Sequence, residues 1–197
     1  MAFRALVGPG RNRPTPSLTR SGLLGLALCG LLLTPAPVDA ADMNQAKANM
    51  LANIARFVEW PGTPSEPGAP LVVTILGEDD LAADLAGVLS TKNVNGRPVF
   101  VRFARRPQDA KGSQILYVAA TEIPRMNDVL SAVDTLPVLT VSDAPGFATH
   151  GGMLGFTQVG EKVRFEVNLG HAEKKGLKLS AKLLALARLV SDSPGTP

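Results

Sequence analysis

Residues 71–76 (LVVTIL) are apolar at five of six positions and lie between Pro70 and Gly77. A strand with one wet face alternates apolar and polar residues. This run does not, so both of its faces must be covered, which calls for helices on either side of a sheet. The neighbouring segments can supply them. Residues 45–59 place Ala46, Met50, Ile54 and Phe57 at helical spacing, with Leu51 and Val58 widening the stripe and Pro61 ending it. After Gly77, Asp79 or Asp80 caps a second helix that turns Leu81, Leu85, Val88 and Leu89 inward.

The rest of the chain continues that rhythm and then leaves it. Val99, Val101 and Phe103 alternate with Phe100 and Arg102 after an Asn95-Gly96 turn, giving a second strand. A short third strand covers 115–118. A helix capped by Thr121 follows, with Ile123, Met126, Leu130 and Val133 on its buried side, then a fourth strand at 138–141. Residues 153–159 and 163–169 flank Gly160-Glu161 as an antiparallel hairpin, whose second strand turns Arg164, Glu166 and Asn168 to a polar face. A last helix over 180–190 has Leu179, Leu183, Leu186 and Val190 as its stripe. The expected product is one α/β domain: a mixed sheet of about six strands, flanked by helices and ending in a C-terminal antiparallel hairpin.

The N-terminus reads as an export signal. Arg4, Arg11, Arg13 and Arg20 precede a twelve-residue apolar stretch at 22–33. That stretch is too short for a membrane span of about 20 residues. Val38 and Ala40 suit a peptidase, so cleavage is expected before Ala41, leaving a periplasmic domain of 197 − 40 = 157 residues, 41–197. Those residues hold 20 − 4 = 16 Lys+Arg and 17 − 1 = 16 Asp+Glu, a net charge of zero. Nucleic-acid binding by phosphate neutralisation therefore has no support. The lone Cys29 leaves with the signal, so neither a disulfide nor thiol chemistry is expected.

Few residues suggest catalysis. The only histidines, His150 and His171, lack close-spaced partners, so no metal and no cofactor is expected. Glu78, Asp79 and Asp80 suit helix capping better than Mg²⁺, and Ser142-Asp143 reads as a turn because no nucleophile elbow surrounds it. Lys182 stands in the first turn of a helix capped by Ser180, against the dipole; with Arg56 these residues form a candidate anion site. Two readings stand for Trp60, one turn after Arg56: a binding hot spot or a plug at the core's edge. Phe147, in a Pro145-Gly146 loop, either enters the core or presents an apolar anchor.

Taken together, IARFVEWP (54–61), VVTILGEDD (72–80), KNVNGRPVFVR (92–102), VLTVSDAPGFATHGGMLGF (138–156), VRFEVNL (163–169) and GLKLSAKLLALA (176–187) resemble the YfiR family. The resemblance covers nearly all of the exported chain. It implies a periplasmic, non-enzymatic repressor that binds the sensor domain of an inner-membrane diguanylate cyclase, lowering cyclic-di-GMP and biofilm formation. It also implies a homodimer and, in systems that have one, sequestration by an OmpA-like outer-membrane lipoprotein. Disulfides that tune the best-known members have no counterpart after Ala41. The candidate partner surface comprises Trp60, Phe147, Arg164, Glu166 and Asn168. The alternative is a sensor for a small anion or amino acid at Arg56, Ser180 and Lys182.

Overall fold

The computed structural model describes residues 40–62 and 68–193. The expected signal segment, up to residue 39, lies outside the described residues. Helix α1 (Ala40–Ala55) leads into a two-residue strand β1 (Val58–Glu59), and β2 (Leu71–Leu76) into α2 (Asp80–Leu89). The hairpin of β3 (Asn93–Val94) and β4 (Arg97–Ala104) turns at Asn95, which adopts φ 52° as such a turn requires. A 3-10 turn (Pro107–Ala110), β5 (Ile115–Val118), a second 3-10 turn (Ala120–Arg125), α3 (Met126–Ala132) and β6 (Leu139–Ser142) follow. The chain continues through a 3-10 turn (Phe147–His150), β7 (Leu154–Val159), β8 (Lys162–Asn168), α4 (Leu169–Lys174), β9 (Lys178–Leu179), α5 (Ala181–Leu184) and β10 (Arg188–Val190).

The main sheet runs β10-β8-β7-β6-β5-β2-β4-β3, and a separate pair joins β1 to β9. Strands β4, β2, β5, β6 and β7 are mutually parallel, while β8 turns back against β7 and β3 against β4. This is the mixed, helix-flanked α/β sheet the sequence suggested, with β2 inside it between β5 and β4. It is wider than six strands because short β3 and β10 extend its edges. Each face carries its own apolar cluster: Val73, Ile75, Ile115 and Tyr117 join α1 and α2 on one side. Leu76, Leu116 and Val118 join Val129, Val133 and Phe147 on the other. Alternate residues of one strand thus serve two cores, the reason for LVVTIL's continuous apolar run.

Three elements differ from the sequence reading. The first helix stops at Ala55, where Arg56 and Phe57 donate to the carbonyls of Asn53 and Ile54 in a tight last turn. Val58 then enters the core and pairs with Leu179, leaving Phe57 exposed and Trp60 off the helix. The segment after Thr121 opens as a 3-10 turn containing Pro124, and Thr121 bonds the Glu78 backbone instead of capping. The last helix is a single turn: only Leu183 of its expected stripe is buried, whereas Leu186 is 73% exposed. Arg188–Val190 instead lies parallel to β8, whose edge offers it backbone partners.

Phe147 is 1% exposed, so it is a core residue of the second cluster and not a surface anchor. Its ring packs so closely on Gly152 that a Cβ there would lie 2.3 Å from two ring carbons and 2.7 Å from the Phe147 carbonyl. Gly152→Ala is therefore expected to destabilise the domain by about 1–3 kcal/mol through overpacking, measured by urea unfolding. A neutral effect would show that the ring has room to move.

Candidate functional site

Open parallel sheets bind ligands in the crevice at the carboxyl ends of the strands, where the strand order reverses. Here the reversal lies between β2 and β5, with loops at 77–79 and 119–122. The protein's own groups fill it. Asp79 caps α2 by accepting the Ala82 N–H at 2.6 Å on Oδ1, and its Oδ2 accepts the Ala120 N–H at 2.8 Å. One carboxylate thereby joins both loops. Gly77, at φ +83°, packs so that a Cβ would stand 2.7 Å from Thr121 Oγ1 and Glu122 Cγ. Backbone and side chains thus fill the base of the crevice, and beside it Gly77, Glu78, Thr121 and Glu122 line an open cleft of about 550 Å³ with Phe103 and Arg105.

Beneath Asp79 the hydroxyl of Tyr117, fully buried, lies 3.1 Å from Asp79 Oδ2 and 3.1 Å from Asp143 Oδ1. Lys47 Nζ of α1 is 3.0 Å from Asp143 Oδ2 and balances the second carboxylate. Burial, then the charges of Asp143 and Asp79, push the phenol well above its ordinary range. A phenol held protonated between two carboxylates is neither a nucleophile nor a base. Ser142 is also buried and accepts the Ala144 N–H, shaping the turn that carries Asp143. Among the described residues no three His, Cys, Asp or Glu side chains stand together as metal ligands.

The fold divides the residues expected at the partner surface. Trp60 is half-buried against the first core, and its Nε1 donates to the Gln114 carbonyl at 2.7 Å, the plug reading. Arg164 is exposed. The face expected to be wet is not: Glu166 is 3% and Asn168 4% exposed, because the 147–150 turn packs on β8 while β10 and the residues after it close its edge. Glu166 pairs with Arg188, and Asn168 Nδ2 donates to the Ala148 carbonyl and to Asp192. In the candidate anion site, the β1–β9 pairing sets the Ser180 N–H on the Phe57 carbonyl, next to exposed Arg56. The Ser180 hydroxyl already accepts the Leu183 N–H, and Lys182 is exposed on a one-turn helix.

Sequence reasoning treated His150 and His171 as unrelated, yet both line one cleft of about 370 Å³ between α3 and α4, with Asn127, Ser131 and Lys175. His171 Nε2 lies 2.8 Å from Asp192, and Lys175 Nζ donates to the carbonyls of Val133 and Asp134. The polar atoms that shape this cleft are largely engaged with the protein itself. No local signal could have joined residues 21 and more positions apart across three elements.

The family model described as YfiR/HmsC-like matches residues 44–188. Among solved structures, a conserved domain protein from Vibrio cholerae is similar with a TM-score of 0.53 at 12% identity, over 76% of this chain and 60% of that one. An ABC domain from Streptococcus pneumonia, solved in complex with L-Trp, gives a TM-score of 0.51 at 10% identity, over 75% and 60%. The chain thus spans about 60% of the length of each, and at such identities the likeness concerns the fold alone.

Tyr117 is the only tyrosine, which makes its titration directly readable. Its raised value means that the folded chain keeps a proton the unfolded chain releases near pH 10. The associated stability is complete below about pH 10 and is lost as pH rises above it, by up to about 1.4 kcal/mol per pH unit. Tyrosinate absorbance should accordingly appear together with unfolding and not before it. Tyr117→Phe should remove that dependence and cost about 1 kcal/mol at neutral pH. Smooth titration of the folded protein near pH 10 would contradict the buried bridge.

Proposed function

Because the chain belongs to the YfiR/HmsC-like family, we propose that it is a non-enzymatic periplasmic regulator. It binds the periplasmic sensor domain of an inner-membrane diguanylate cyclase and holds that enzyme inactive, lowering cyclic-di-GMP and biofilm formation. The observation that carries this reading is the family match over residues 44–188, and the internally engaged Asp79–Tyr117–Asp143 cluster at the strand reversal agrees with it. With the carboxylates and the phenol at that reversal bonded to one another, the groups left to meet a partner are those on the surface. Repression is then a population shift, in which the regulator lowers the active fraction only as far as it prefers the inactive sensor. Moving a sensor from 99:1 active to 1:99 takes about a 10⁴-fold difference in affinity.

The docking surface we propose centres on exposed Arg164 of β8. Phe147, Glu166 and Asn168 act from beneath by fixing the loop and strand that present it. Export by the N-terminal signal, a homodimer and capture by an OmpA-like outer-membrane lipoprotein belong to the same proposal. Redox control through disulfides does not, since the chain has no cysteine after Cys29.

Arg164→Glu reverses a charge on the solvent side of β8 and is expected to leave the melting temperature within a few degrees. It should weaken binding to the purified cyclase sensor domain at least about tenfold, or roughly 1.4 kcal/mol, by calorimetry or co-purification. Unchanged affinity would remove this strand from the interface. Unchanged cyclic-di-GMP in a strain lacking the protein would remove the function itself.

A further inference from the structure

The two edges of the main sheet are finished differently. On one side β10 lies along β8; on the other, β4 is covered only by β3, which pairs Asn93 with Pro98 and Val94 with Arg97. One more bond, from the Val99 N–H to the Lys92 carbonyl at 3.1 Å, ends that cover. Along a strand in a parallel ladder, alternate residues turn their N–H and C=O to the same side. Val99 faces outward, so Val101 and Phe103 do too, while residues 100, 102 and 104 face β2. Among the described residues no strand lies beyond Val101 and Phe103. Two ladder rungs stand open.

The side chains beside those rungs are unusual for a free edge. Phe100 is 55% and Phe103 63% exposed, and their spacing puts them on opposite faces of the strand. Natural edges are usually blunted against pairing. The flanks are cationic: residues 92–111 carry Lys92, Arg97, Arg102, Arg105, Arg106 and Lys111 against Asp109 alone, 6 − 1 = +5. Residues 41–197 sum to zero, so the remainder carries −5. Arg97 and Arg102 are held by carbonyls and hydroxyls of the fold, and Arg106 by Asp109. Arg105 is exposed and lines a cleft with Phe103, Glu78 and Glu122, the last already paired with Arg125.

We propose that the β4 edge is a docking site for an extended segment of a second protein, apolar and acidic in character. The segment adds as a strand along Val101 and Phe103, covers the two phenylalanines and meets the basic flank. A second copy of this chain is a poorer occupant. Antiparallel twofold pairing centred on Val101 sets Arg105 of one copy against Arg97 of the other, and like charges directly opposed are destabilising. The site is distinct from the Arg164 surface, and its test contains no sensor sequence, so either can fail without the other.

The probe is a blocked synthetic peptide of the length of β4 that alternates valine with glutamate, compared with its valine–lysine counterpart. Amide exchange read by NMR should slow at Val101 and Phe103 by at least about tenfold with the glutamate peptide, and not with the lysine peptide. Val101→Pro removes an outward N–H at an edge position where proline is tolerated, together with a partly buried side chain packed on the first core, and should abolish protection at Phe103 while circular dichroism stays native. Phe103→Glu keeps both rungs and should also abolish it, a second route should the proline variant fail to fold. Absence of protection by the glutamate peptide, or equal protection by both peptides, overturns the proposal. Protection that grows with protein concentration alone would overturn it in favour of a second copy.

Discussion

A single carboxylate holds together the loops on which the sheet's carboxyl edge depends. Asp79 follows the central strand, begins α2, and answers the Ala120 N–H from the loop after β5. Tyr117 reaches it from below and passes the connection to Asp143, which Lys47 of α1 completes. Four elements thus meet at one buried hydroxyl with one proton to give. In a low-dielectric interior such a network is stabilising only when every member is partnered, and among the described residues no buried side-chain polar atom lacks a partner. The same connections that bind the loops also close the base of the crevice between them.

That closure moves attention from chemistry to shape and charge. The structure offers a cleft between α3 and α4 in which the Lys175 ammonium is committed to the end of α3. It also offers an exposed strand face at Arg164 and a basic strand edge at β4. Charge is unevenly distributed over a domain without net charge, and uneven charge steers protein encounters and selects partners more than it adds affinity. A regulator that works by contact has use for such a distribution.

What could be read from the sequence is what short-range physics decides. LVVTIL as a doubly covered strand, a helix cap at Asp79 or Asp80, Asn95-Gly96 and Gly160-Glu161 as hairpin turns, and Ser142-Asp143 as a turn all depend on neighbours a few residues away. The unread parts depend on distant partners. Val58 leaves the helical pattern because Lys178 and Leu179 supply a strand 120 positions later. Residues 180–190 show the leucine spacing of a helix, but the open edge of β8 gives Arg188–Val190 a ladder to join, so Leu186 and Leu189 remain in water. The burial of Glu166 and Asn168 follows from that same addition and from the 147–150 turn packed on β8. Their alternation with apolar residues describes β8 correctly and says nothing of what later covers it. The link from Lys47 to Asp143, 96 residues apart, leaves no trace in either local segment.

The pairing of Arg188 with Glu166 bears on how the sheet is finished. Glu166 sits almost wholly out of water, and the cation that answers it arrives only with residue 188, on the strand that closes the sheet. Without that strand the Glu166 carboxylate would lose its cation and β8 would present a bare ladder, an edge that favours self-association. One short strand near the end of the described chain thus closes a sheet edge and answers a buried charge at once.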